Sequence, residues 1–299
     1  MSAGRVVGAA VVVALAAVPA SAQLASPNAM GVSMGHFHYV VRDVEANRKF
    51  WIEFGATPVK IGSREALKLP EVFIFLDRGA PSGVSEGSVV NHIAFRLPDI
   101  PKALARFRSL GVRVLPQNPG SPIGNILTPE DERIELFHDG TENVPFHLDE
   151  GRRDAVAERL SRRLAGPLST HHFHLYLPKG GSAAAKAWYV KTFGAVPGTR
   201  RGSPRTDGTA QTVYLAADLP GMNLNFLDVD ERAVPTKGRM LDHVGFEVRN
   251  LEAFVRKLEA SGEKFVQPYR RNPGDPIATA VLVDPWGTSI ELTEGLSRY

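Results

Sequence analysis

The sequence contains no cysteine. That excludes a disulfide framework, a lipid-anchored cysteine and a thiolate metal ligand. Any metal held by this chain must sit among histidine, carboxylate or other oxygen donors. Charge of one sign is also scarce, with a net +3 spread over 299 residues. No stripe of lysine and arginine interleaved with aromatics is present, so nucleic acid is not an expected partner. The apolar run from Val6 to Val18 is too short to span a bilayer comfortably. It follows Arg5 and precedes Ala20-Ser21-Ala22, the order of charge, apolar stretch and small-residue cleavage site that marks an export signal. Residues 1–22 are therefore expected to be a signal peptide and 23–35 a flexible leader. The mature protein is expected to be periplasmic or secreted, with no membrane attachment after cleavage.

What the chain does have is an internal repeat. Four histidines open four similar segments: His36, His92, His172 and His243. Each is followed five residues later by an aliphatic residue, namely Val41, Leu97, Leu177 and Val248. Ile134-Glu135-Leu136 closes the second segment and Ile290-Glu291-Leu292 the fourth, each with a proline six residues before the glutamate (Pro129 and Pro285). Phe54-Gly55-Ala56 is echoed by Phe193-Gly194-Ala195, and Asn118-Pro119-Gly120 by Asn272-Pro273-Gly274. Such turn-forming phrases at matched positions imply a four-module repeat, grouped in two pairs.

Each module reads as βαβββ. His36 to Val41 alternates between faces as a strand does, Asp43 can cap the helix carrying Phe50, Trp51 and Phe54, and Gly55 ends it. The fold class expected is α+β, each pair of modules forming a cup-shaped mixed sheet flanked by helices. The expected domains are 36–140 and 170–299. Residues 141–169 break the pattern and read as a helical connector, with a charge-rich amphipathic helix over Arg152–Leu164.

Each pair can offer two histidines and one glutamate, the donor set of a 2-His-1-carboxylate metal site with open positions. A glutamate facing a core would be costly to bury without a positive partner, which argues for a metal over core filling. His36 and His38 lie two apart on a strand and face the same side, as do His172 and His174. The second of each pair suits a supporting or acid–base role, because imidazole titrates near neutrality. His171 reads as solvent-exposed at the start of its strand.

Leu241-Asp242-His243-Val244-Gly245-Phe246, Asp284-Pro285-Trp286-Gly287, Trp188-Tyr189 and Asn91-His92-Ile93-Ala94-Phe95 resemble the vicinal oxygen chelate superfamily, which includes glyoxalases, bleomycin resistance proteins and extradiol dioxygenases. The resemblance covers nearly everything from His36 to Gly295 except the connector. It implies the glyoxalase-like fold and a divalent metal (Fe, Mn, Zn or Ni) held by a histidine from the first strand of each module and a glutamate from the last strand of the second. Carried over by position, this gives His172, His243 and Glu291 in one half and His36, His92 and Glu135 in the other. The glyoxalase pattern's fourth ligand falls at Ile74 or Asn225, neither of them a carboxylate. No histidine stands between Gly262 and Glu291, where the extradiol pattern has one.

The expected function is a metal-dependent isomerase, lyase or oxygenase acting on a small oxygenated molecule. The alternative is a sequestering protein of the bleomycin-resistance type. His174, Tyr269 and Arg270 are the candidate catalytic residues, with the loop from Gln267 to Arg271 placed to meet an anionic substrate through the planar fork of arginine. The C-terminal half is expected to hold the more active site. Both a monomer and a homodimer fit the sequence.

Overall fold

The computed structural model describes residues 24–117, 121, 123–138, 146–148, 166–201 and 213–299. The signal peptide and the connector helix expected over Arg152–Leu164 lie outside these residues. Among the described residues no helix is long and apolar enough to cross a membrane.

The first module comprises β1 (Val32–Val41), α1 (Val44–Phe54), β2 (Thr57–Ile61), β3 (Arg64–Leu69) and β4 (Val72–Arg78). The second has β5 (Val90–Leu97), α2 (Ile100–Ser109), β6 (Ile123–Leu127) and β7 (Arg133–His138). Where its second strand is expected, the described residues form only a bridge from Val114 to Ile126. In the connector, β8 (Phe146–Leu148) is a short strand. The third module runs β9 (Ser169–Pro178), α3 (Ser182–Phe193), β10 (Val196–Arg201), β11 (Val213–Leu219) and β12 (Met222–Val229). The fourth runs β13 (Leu241–Val248), α4 (Leu251–Ala260), β14 (Phe265–Arg270), β15 (Ala278–Val283) and β16 (Ser289–Glu294).

Two mixed sheets result, each 8-stranded. Their orders are β14-β15-β16-β13-β1-β4-β3-β2 and β6-β7-β5-β9-β12-β11-β10-β8. The first and fourth modules thus share one sheet, and the second and third share the other. This corrects the expectation that each half closes its own cup. The seams are antiparallel pairings of first strands, β1 with β13 and β5 with β9. All four first strands carry similar apolar patterns, so their sequences do not say which will pair. Modules adjacent in sequence meet instead through side chains. Phe54 of α1 packs on Phe95 of β5 with centroids 4.9 Å apart, and Phe193 of α3 packs on Phe246 of β13 at 5.0 Å. One continuous core therefore runs through all four modules, where two separate domain cores were expected.

Local sequence explains how α1 presents its aromatics. Asp43 accepts a hydrogen bond from the Ala46 amide, satisfying an otherwise unpaired donor of the first turn. Asn47, Phe50, Trp51 and Phe54 form the buried stripe at helical spacing. Gly55, at φ 129°, ends the helix in a conformation that suits glycine. Burying each such aromatic is worth about 1.5–3 kcal/mol.

Strand alternation then places the functional side chains. Phe37 of β1 and Phe173 of β9 touch across the core, with ring centroids 6.3 Å apart. Their neighbours His36, His38, His172 and His174 must point the other way. The two sheets therefore meet back to back, and each turns its histidines toward its own concave face. Each β1-like strand is also bulged. Gly35 is the extra residue opposite β13, where a Cβ would come within 2.9 Å of the Glu247 amide nitrogen. His171 is the extra residue opposite β5.

Candidate metal centre

His36, His38, His243 and Glu291 form one cluster, and His92, Glu135, His172 and His174 form another. In each, one donor atom per residue lies within 4.8 Å of the others. The expected ligand types thus converge, in different company. His172 does not join His243 and Glu291, and His36 does not join His92 and Glu135. The exchange follows directly from the pairing of β1 with β13 and of β5 with β9.

In the first cluster, Glu291 Oε2 lies 3.0 Å from His36 Nε2 and 3.5 Å from His243 Nε2. Both ring nitrogens are buried, and neither has a partner in hydrogen-bond geometry. Two lone-pair donors and a carboxylate thus converge without satisfying one another. Burial pushes the His36 imidazolium down to about 4, against the raising effect of Glu291. Burial also opposes charge on Glu291, yet the two imidazoles facing it, His243 and His36, hold it well below the usual carboxylate range. A neutral imidazole and an ionised carboxylate are the forms that ligate metals.

His243 is oriented from behind. Its Nδ1 lies 2.7 Å from Asp242 Oδ1, and Asp242 is itself held by Lys237 and the Gly238 amide. A carboxylate on Nδ1 fixes the tautomer that leaves the Nε2 lone pair free for a metal, and raises ligand basicity. Burial lowers the proton affinity of His243, but the carboxylates of Asp242 and Glu291 on either side of the ring outweigh it and the net shift is upward. The sequence contains Asp242 inside its most recognisable phrase, and adjacency to a ligand histidine was the available signal.

His38 completes the cluster. Its Nε2 meets Asp77 Oδ2 at 2.9 Å, and Arg64 bonds both groups. In the structural register Asp77 corresponds to Leu227 of β12, so the second cup has no carboxylate at that position. Matching Ile74 to Asn225 sets Asp77 against Asp228, one residue off this register, and so hid the face it shares with His38. The register also corrects the fourth-ligand position on β4. Phe75, not Ile74, sits beside His38 as Asn225 sits beside His174, and Ile74 faces the core.

The second cluster is more enclosed and more positive. Glu135 Oε2 lies 3.1 Å from His92 Nε2 and 3.2 Å from His172 Nε2. Burial pushes His172 down to about 4 and His174 well below its usual value. Here Asn91 replaces Asp242, and Arg133 Nη2 lies 2.6 Å from both Asn91 Oδ1 and His92 Nδ1. A guanidinium can only donate. Donation to Nδ1 leaves the proton of neutral His92 on Nε2, aimed at Glu135, where a metal would need the lone pair. The buried Arg200 adds a second cation, bonded to His171 Nε2. His171 is itself buried, stacked on Phe137 at 4.4 Å, rather than exposed. The acidic run before Glu135 does not compete for the cluster: Glu130 caps the start of α1, and Glu132 bonds the Ser85 amide.

The three candidate catalytic residues separate. His174 belongs to the second cluster. Tyr269 packs against the hydrophobic core, away from either cup. Arg270 lines a cavity of about 220 Å³ whose wall includes Glu291, Phe75 and Arg64. The Asp284-Pro285-Trp286-Gly287 phrase is structural: Asp284 Oδ1 accepts from the amides of Trp286, Gly287 and Thr288, and Oδ2 from the Tyr189 hydroxyl.

Residues 169–292 match the family model described as Glyoxalase/Bleomycin resistance protein/Dioxygenase superfamily. No curated protein matches the chain. Among solved structures, a variant of glyoxalase I from Zea mays is 18% identical, over 89% of this chain and 94% of that one, with a TM-score of 0.60. A second structure of glyoxalase I from Zea mays is 17% identical over 89% and 94%, with a TM-score of 0.55. A putative dioxygenase from Bacillus subtilis is 12% identical over 92% and 86%, also at 0.55. At such identities the likeness establishes the fold, which is the glyoxalase-like fold expected from the sequence.

Proposed function

We propose that this chain, whose residues 169–292 match the Glyoxalase/Bleomycin resistance protein/Dioxygenase superfamily model, is a divalent-metal-dependent enzyme acting on a small oxygenated organic molecule, with its working centre at His36, His243 and Glu291. The observation that carries this reading is the pair of buried, unpartnered Nε2 atoms of His36 and His243 converging on Glu291. Leaving such atoms unpaired costs about 1–3 kcal/mol each, which a bound cation would offset. His38, on the same face, supplies either a further donor or a group beside the reacting molecule.

A metal bound there would act as a Lewis acid on a substrate oxygen. The chain's own residues do the rest. Asp242 holds the His243 ring, Asp77 and Arg64 hold His38 in the cup wall, and Phe75 presents an apolar surface beside the cluster. The second cluster, His92, Glu135, His172 and His174, is proposed as a weaker metal site, since Arg133 opposes a cation there.

Metal analysis of the full chain purified without added metal tests the proposal. One divalent ion per chain is expected, lost in Glu291→Ala and kept in Glu135→Ala. Loss only in Glu135→Ala would move the working centre to the second cluster. Metal-free protein that also takes up none on titration would leave a sequestering cup as the better account.

A further inference from the structure

The cavity in front of the first cluster has a feature that the metal reading does not use. Arg270, exposed at the mouth, has no carboxylate within ion-pair distance among the described residues. Among the described residues its one hydrogen bond is from Nε to Thr279 Oγ1, at 3.4 Å. That contact comes from the stem side of the guanidinium and leaves both terminal nitrogens open. The neighbouring arginines differ. Arg64 is occupied by Asp77 and His38, with its guanidinium 4.3 Å from the Phe75 ring centroid, and Arg271 pairs with Glu294. Arg270 is therefore the open cationic fork in a wall that also holds Glu291.

The rest of the wall limits what can enter. Ile61, Phe75, Pro276 and Ile277 supply apolar surface. The volume, about 220 Å³, is below the roughly 300–1,000 Å³ of clefts that take drug-sized ligands. A planar fork with free donors matches a carboxylate bidentately. In the second module, repeat matching puts Pro116 at the position of Arg270.

The geometry points to a small carboxylic acid as the substrate class: a compact, partly apolar acid whose carboxylate docks on Arg270 while a second oxygen reaches the His36–His243–Glu291 centre. This rests on the metal-centre reading for the second oxygen, and on Arg270 alone for the carboxylate. Arg270 is thus a specificity-determining residue.

The test uses the full chain and two probes of nearly equal shape, benzoylformate and its neutral amide, benzoylformamide. Each is titrated calorimetrically into protein with and without Mn²⁺, whose own binding is measured separately by electron paramagnetic resonance. Benzoylformate is expected to bind about tenfold or more tighter than the amide. Arg270→Gln should bring the two within about twofold, Arg270→Lys should restore part of the difference because the charge returns without the fork, and Mn²⁺ affinity should not change in either. Equal binding of acid and amide, or a preference that survives Arg270→Gln, overturns the inference while leaving the metal centre standing. Failure of Mn²⁺ to bind removes the metal centre instead. The acid–amide preference in Mn²⁺-free protein then decides the carboxylate assignment by itself, its presence supporting the assignment and its absence overturning it.

Discussion

His243 Nδ1 stands 2.7 Å from Asp242 Oδ1, whereas the matching ring, His92, stands 2.8 Å from the amide oxygen of Asn91. A carboxylate behind an imidazole strengthens it as a ligand and locks its tautomer; an amide oxygen adds no charge, and here Arg133 Nη2 donates between it and the ring. Asp242→Asn keeps the shape and removes the charge. It should weaken metal binding at the first cluster by about 10–100-fold, the usual cost of losing such a partner. Competition against a chelator of known affinity measures it, and an unchanged affinity would show that Asp242 serves only the loop around Lys237 and Gly238.

Gly245 gives a second handle on the same cluster. A Cβ at this position would lie 2.0–2.4 Å from ring atoms of His36, which is buried and cannot simply swing into solvent. The matching position beside His172 is Ala94, which already carries a Cβ. Gly245→Ala should therefore displace His36 at a cost of about 1–3 kcal/mol for overpacking. The first cluster should lose its metal and the second should be untouched. Metal stoichiometry with a thermal melt checks both parts.

The contents of each cluster were legible in the sequence; their partnership was not. Repeat matching located His36, His92, His172, His243, Glu135 and Glu291 because strand position and face are local properties, set by a period of two and by flanking turns. Pairing β1 with β13 rather than β5 is a long-range choice among four similar first strands, and no local pattern records it. Asp77 was hidden by a register slip: the sequence match of Ile74 to Asn225 sets it against Asp228, whereas the strand pairing sets it against Leu227 and puts it on the face of His38. Tyr269 fails as a site residue through alternation, since neighbours on a strand face opposite ways and Arg270 takes the cup side. Tyr269→Phe should accordingly leave metal and ligand binding within about twofold of the parent, while Arg270→Gln does not; the calorimetric titrations above read both.

Stability of the metal-free protein should fall as acid is added. His36 and His172 are each pushed by burial from 6.5 to about 4. The unfolded chain therefore binds more protons than the folded one between these values. The associated stability is present above pH 6.5 and lost as pH falls toward 4, roughly 3 kcal/mol per histidine. Glu132 acts in the opposite sense. Burial raises it from 4.5 to about 7, so its contribution is present below pH 4.5 and lost as pH rises through 7. Urea unfolding from pH 4 to 8 should show a steep rise between 4 and 6.5. Glu132→Gln should gain stability relative to the parent only toward pH 8. A flat profile over the acid range would mean that the two histidines are hydrated in the native state.

Arg133 is the residue that separates the two clusters electrostatically. It lies 2.6 Å from His92 Nδ1, and the residue in register on β16 is Ser289. Its charge repels a cation, and its donation to Nδ1 directs the His92 proton toward Glu135. Both effects vanish if the second cluster is rebuilt on the pattern of the first, with Arg133→Ser and Asn91→Asp together. At an effective dielectric near 20, removing one unit charge from beside a divalent ion is worth several kcal/mol before solvent screening. The new carboxylate would add the orienting contact that His243 already has. The double variant should bind a second divalent ion at least about tenfold tighter than the parent's second cluster, with the first cluster's affinity unchanged. Titration with Mn²⁺ in a Glu291→Ala background isolates the second cluster. If affinity there does not rise, its weakness lies in the enclosure of His172 and His174 rather than in the charge of Arg133.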